Sequence, residues 1–340
     1  MKKSIILALS LVLSVATFAQ QLATLNHNGT TTAYYGMNAL QQAHSAAVNG
    51  DIITLSTGIF NSVDITKAVT IRGAGAWVDT NGNSNTVLYG DFTLNIQEDT
   101  NYNLVMEGIN TMGEITYNEV HNPQFVKCEF GQFTYYSYSN IQMYNASFNN
   151  CILGDWRNYK GTSSNVWPAI GTQFTNCIVL NQFENGCSGT YDHCIVNQDP
   201  STASSKLFQN SVLYFNWLSS YPPTYSISGA FNCMYINIGN YGSIFLFKNM
   251  ANRVQWNRNI ISSVFKNFDG TYSSTTTFEL QDSIAANYLG TDGTQIGIYG
   301  GLHPFSPKVT SPVIKSINVA QRNNSEGKLE VNIEMVTEDE

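Results

Sequence analysis

The chain has 340 residues and a formal net charge of −8, with 12% charged residues, 19 Tyr and 18 Phe. An acidic balance disfavours nucleic acid and anionic lipid as general partners. A charged share far below the usual ~25% leaves the polar surface to Asn, Ser, Thr and Gln, as in extracellular β-rich proteins.

Residues 1–19 read as a secretory signal: basic Lys2 and Lys3, an apolar run over 5–15, and the small-residue site Thr17-Phe18-Ala19. Cleavage is expected between Ala19 and Gln20, which takes the formal charge from −8 to −10 by removing the two lysines. No later stretch has the ~20 consecutive apolar residues of a membrane helix. The mature protein is therefore expected outside the cytoplasm, secreted, at the cell surface or in the periplasm. A helix is predicted over 35–48, where Met37, Leu40, Ala43, Ala47 and Val48 fall near helical spacing and Asn49-Gly50-Asp51 stops them. Short β-branched runs follow at 52–56, 63–65 and 69–71, and continue to about residue 263 between Gly, Asn and Asp punctuation.

The most informative pattern is a repeat. Phe148-Asn149-Asn150-Cys151-Ile152-Leu153 returns as Phe174-Thr175-Asn176-Cys177-Ile178-Val179, Tyr191-Asp192-His193-Cys194-Ile195-Val196 and Phe208-Gln209-Asn210-Ser211-Val212-Leu213. A shortened copy lies at Phe231-Asn232-Cys233-Met234 and a looser one at Val126-Lys127-Cys128-Glu129-Phe130. Self-similarity at this spacing predicts stacked coils, each burying its apolar face against its neighbours. Cysteines sharing one phase of such a repeat suit a stack of unpaired buried thiols better than a disulfide framework. Cys187 is out of phase, which leaves pairing with Cys177 or Cys194 open.

The opening order of helix, Asn49-Gly50-Asp51-Ile52-Ile53-Thr54-Leu55, Gly58-Ile59-Phe60 and Ile65-Thr66-Lys67-Ala68-Val69-Thr70-Ile71-Arg72-Gly73 resembles the first coils of pectin-lyase-like proteins. The resemblance covers about residues 24–265. It implies an all-β, single-stranded right-handed parallel β-helix (solenoid) with an N-terminal capping helix. The expected organisation is a strand and capping helix over 20–50, the β-helix over 51–312, and a C-terminal strand and tail over 313–340. Asn150, Asn176, His193, Asn210 and Asn232 then fall at the position where such proteins stack Asn at a bend, which makes His193 a ladder substitute. Residues 290–301 and the prolines that follow resemble the closing segment of exported Bacteroidetes β-helix proteins. The alternation over 329–334 suggests an edge strand packed on the last coil, with a frayed acidic tail; the alternative is a small separate sorting or attachment module. Function does not follow from this fold, which hosts lyases, hydrolases, esterases and adhesins.

The spacing points to a working face. The motif cysteine phase falls at 128, 151, 177, 194, 211 and 233, so successive coils take 23, 26, 17, 17 and 22 residues. Extra residues at one phase of a solenoid emerge on one side. They carry Trp156, Arg157, Tyr159, Lys160 and Trp167 in one coil and Trp217, Tyr221 and Tyr225 in another. Flat rings beside polar groups suit sugar rings. These eight residues are the candidate ligand site, for a polysaccharide or cell-surface glycan, in a monomer without cofactor. A simpler role for the same rings is to cover the side of the coils. The family resemblance keeps a second reading open, a polysaccharide lyase acting on a uronic-acid polymer, with Arg157, Tyr159 and Lys160 at its centre and Ca²⁺ held by acidic groups. Only Asp155 accompanies that set, and the recognised catalytic patterns of the family's hydrolases and esterases are missing. Asp292-Gly293-Thr294 reads as a plain Asp-Gly turn.

Overall fold

The computed structural model of the protein describes residues 21–77, 85–96, 101–136, 143–159, 169–181, 187–197, 206–215, 229–237, 243–247, 261–273, 276–306, 313–319 and 331–336. The expected signal lies outside them. The protein is mostly β, with two long sheets of 13 and 11 strands built almost wholly from parallel pairs. The chain moves back and forth between the two sheets, and most strands pair with their counterpart one repeat later. In the first sheet Phe125, Phe148, Phe174, Tyr191 and Phe208 lie in register. In the second, Ile152, Ile178, Ile195, Val212 and Met234 do. The repeated motif therefore spans two strands and the bend between them.

Its third residue makes that bend. Asn150, at φ +54°, and Asn176, His193, Asn210 and Asn232, all at φ +51°, adopt the left-handed conformation that Asn tolerates best among residues with a side chain. Lys127 takes the same turn at φ +50°. Beyond it the chain enters the second sheet, and side chains point alternately to its two faces.

Two cores result. The inner one lies between the sheets. Phe125, Phe148, Phe174, Tyr191 and Phe208 stack in it with ring centroids 4.7, 5.0, 4.4 and 4.9 Å apart. Cys128, Cys151, Cys177, Cys194 and Cys233 are buried and unpaired, in line with the stacking phase. The Cys177 Sγ lies 3.3 Å from Phe148 O and 3.2 Å from Thr175 O, within reach of its single S–H. Burial pushes the Cys128, Cys151 and Cys177 thiols well above their ordinary range, so they behave as small core groups rather than nucleophiles. The Cys187 side chain lies outside the described atoms. The second core lies on the outer face of the second sheet. Ile152, Ile178, Ile195, Val212 and Met234 point away from the cysteines and pack under Val264, Phe265, Phe268, Phe278, Leu280, Ile296 and Ile298. The motif Ile thus belongs to a different core from the motif Phe and Cys.

The N-terminal end differs from expectation in its bounds. Leu22–His27 and Thr30–Tyr35 form an antiparallel hairpin, which pairs antiparallel with Ile52–Leu55. The hairpin claims Tyr35, so the helix is Ala39–Ala46, and Met37 and Val48 stay exposed. Residues 63–65 make only a single bridge, from Ile65 to Leu94. The helix end is held by Lys67, whose Nζ donates to His44 O, Ser45 O and Ala47 O at 2.7, 3.0 and 2.7 Å, where a cation opposes the helix dipole. His44 Nε2 accepts a hydrogen bond from Thr66 N at 3.3 Å, so its ring is neutral. Burial, then the Lys67 charge, lowers its pKa to about 4. The unfolded chain takes up a proton near 6.5 and the folded chain only near 4, so stability is full above that window and falls as pH drops through it. Urea midpoints measured between those limits should decline for the wild type and flatten for His44→Gln. An equal decline in the variant would assign the loss to other groups.

At the other end, Ser243–Phe247 pairs antiparallel with Cys233–Asn237 and closes the second sheet. Val313–Val319 pairs instead antiparallel with Val331–Val336 in a separate two-stranded sheet, so the strand in the alternation over 329–334, as far as it is described, does not pair with the last coil. Among the described residues no helix is long and apolar enough to cross a membrane.

Candidate functional site

Two sides of the molecule carry groups capable of chemistry. The first is the flank where the coils differ in length. Glu129–Tyr136 and Ile152–Tyr159 are eight-residue strands that run parallel and in register, from Glu129 beside Ile152 to Tyr136 beside Tyr159. Gly131 and Gly154 fall within them. A Cβ at Gly154 would clash with Gly131 O, so only glycine allows the strands this approach. Further along, Trp156, Arg157 and Tyr159 hold the positions beside Phe133, Thr134 and Tyr136. Phe133 is buried, with its ring centroid 5.0 Å from that of Phe130. Lys160, Trp167, Trp217, Tyr221 and Tyr225 lie outside the described residues.

A ring pair that the sequence reading missed sits at the root of this flank. His121 and Tyr144 stack on adjacent rungs at 4.6 Å and 13°, and His121 Nε2 lies 3.0 Å from Glu119 Oε1. Asn145 Nδ2 donates to Asn122 Oδ1 at 3.2 Å beside them. The signal was available: His121-Asn122 and Tyr144-Asn145 are spaced by 23 residues, the same interval as Cys128 and Cys151. Glu129, on the outer face of the second sheet, is a half-buried carboxyl. Burial pushes its pKa up against the bond from Asn110 Nδ2 at 2.8 Å. Among the described residues no group of three or more His, Cys, Asp and Glu side chains could hold a metal ion.

The second side is the bend ladder, which holds a C-terminal strap. Asn232 Nδ2 donates to Leu289 O at 2.8 Å, and Thr291 N donates to Asn210 Oδ1 at 2.9 Å. Asn176 Nδ2 donates to Ile298 O and Gly300 O, both at 2.8 Å. Asn150 gives to His303 O at 3.2 Å and takes from Ser306 N at 2.9 Å. The strap thus runs back along the coils from last to earlier. Midway, His193 Nδ1 lies 3.0 Å from Asp192 Oδ1, and Nε2 lies 3.5 Å from Asp292 Oδ2 and 3.3 Å from Thr294 Oγ1. Asp292-Gly293-Thr294 is the expected turn, closed by Thr294 N donating to Asp292 Oδ1 at 3.0 Å. Burial raises the Asp292 pKa, but the Thr294 hydrogen bonds and the His193 charge outweigh it and leave the carboxyl below its ordinary value. The His193 ring is buried, and Thr294 Oγ1 is already occupied by Gly301 N at 2.7 Å and by the Asp292 carboxylate. The arrangement is a clamp and not a hydrolytic triad.

Fold and flank together define an all-β protein of long parallel sheets with a docked strap. No family model matches the chain, and no curated protein or solved structure does.

Proposed function

We propose that the protein is an exported, non-catalytic right-handed parallel β-helix that binds a polysaccharide or cell-surface glycan through the uneven flank. One observation carries the reading. The second-sheet strands that lead into 137–142, 160–168 and 216–228 all return to the first sheet, so the extra residues of the long coils leave the same phase. The stacked His121 and Tyr144 stand on the first-sheet strands at that phase, and stacked rings beside polar groups suit sugar rings. The site residues on this reading are Trp156, Arg157, Tyr159, Lys160, Trp167, Trp217, Tyr221 and Tyr225. The parallel in-register pairing supports the solenoid, and the chain acts as a monomer.

Trp217→Ala is expected to weaken retention on an immobilised glycan array about tenfold, with an unchanged unfolding midpoint. Loss of stability with unchanged retention would make these rings a cover for the coils. Incubation with uronate polymers, followed by absorbance of unsaturated product, separates binding from catalysis. Product formation that disappears in Arg157→Ala and Lys160→Ala would replace this reading with that of a polysaccharide lyase.

A further inference from the structure

His193 is the one titratable residue among ladder positions 150, 176, 193, 210 and 232. An Asn at such a position offers a donor and an acceptor at fixed charge, whereas an imidazole offers them according to its protonation. The strap closes tightly on this ring. A Cβ added at Gly290, Gly300 or Gly301 would come 3.1, 2.7 or 3.2 Å from an atom of His193. Among the described residues, the titratable groups facing it are Asp192 on its own bend and Asp292 on the strap. The adjoining rungs bring the uncharged amides of Asn176 and Asn210, which a Cβ added at Gly301 or Gly290 would meet at 3.5 or 3.2 Å.

We propose that His193 is a proton-operated latch for the strap: the imidazolium bridges Asp192 and Asp292, and its deprotonation loosens residues 289–301 from the ladder. In the charged form the ring pairs as an ion with Asp192 Oδ1 at 3.0 Å and Asp292 Oδ2 at 3.5 Å, while Thr294 O–H donates to Asp292 and its oxygen accepts from Gly301 N. Loss of the Nε2 proton removes the ion pair and turns a lone pair toward the Asp292 carboxylate. Thr294 can satisfy that lone pair only by turning its hydroxyl from Asp292 to Nε2, which takes a hydrogen bond from the charged carboxylate.

The test is hydrogen exchange by mass spectrometry on peptides covering 289–301, divided by the intrinsic rate, at about pH 5.5 and about pH 8. Protection in the wild type should fall about tenfold at the higher pH, the weight of one such bond. His193→Asn restores the ladder amide and should keep protection while abolishing the pH dependence; Asp292→Asn should abolish it too. The idea is overturned by flat protection in the wild type, or by the same tenfold fall in the variants. Should His193→Asn not fold, Asp292→Asn, on a partly exposed strap carboxylate, decides alone. The direction is opposite to that of His44, whose contribution weakens on acidification, so the two effects are separable.

Discussion

Phe278→Ala is expected to destabilise the fold by about 3–5 kcal/mol, the cost of emptying a large buried ring site. Phe278 is fully buried. Its ring centroid lies 4.6 Å from that of Phe268 and 5.8 Å from that of Phe265 on the covering segment, and 6.4 Å from that of Tyr214 on the second sheet. It therefore joins the covering segment to the sheet beneath it. The loss should appear as a lower urea midpoint with an unchanged slope, because the whole sheet and its cover unfold together. Phe278→Leu refills much of the space and should lose less than half as much. A loss below about 1 kcal/mol for the alanine variant would place the residue outside a packed core.

Gly300→Ala is expected to cost about 3 kcal/mol, at the upper end for overpacking, because its neighbours cannot give way. The added carbon would clash with Gln295 O and stand 2.7 Å from His193 Cδ2 and 2.8 Å from Thr294 Oγ1. The first of these is backbone, so the turn must be rebuilt. Rebuilding it removes the carbonyls of Ile298 and Gly300 from Asn176 Nδ2, whose donor is then left buried. Gly293→Ala provides the control. Its φ of +82° carries the ordinary strain of a side chain there, with nothing within 4 Å, so about 1 kcal/mol is expected. Similar denaturation midpoints for the two variants would show that conformation, and not crowding under the ladder, sets the glycine requirement.

Much of the fold was legible before any coordinates. The recurring Phe, Cys and bend-forming Asn repeat a local instruction, so their phase alone predicts that like residues stack and that the thiols stay buried and unpaired. The candidate site was legible only as a flank. Spacing shows which coils are long, and register places Trp156, Arg157 and Tyr159 on one strand. The rung partner Phe133, buried in the inner core, and the His121–Tyr144 stack emerge only when neighbouring coils are superimposed.

The contacts of the strap could not be read from the chain for a physical reason. The glycines of 290–301 look like turn residues in the chain. Gly300 and Gly301 also make room for His193, a ring more than 100 positions away. Likewise the alternation over 329–334 describes a strand without naming its partner, and the partner is Val313–Val319. The period and the bends can be read from the chain alone, because they follow local rules of backbone geometry. Only the tertiary structure decided that the motif Ile row meets Phe265, Phe268 and Phe278 instead of water. An alternating pattern distinguishes two faces of a strand. What covers each face is set by whichever distant segment excludes water from it most completely.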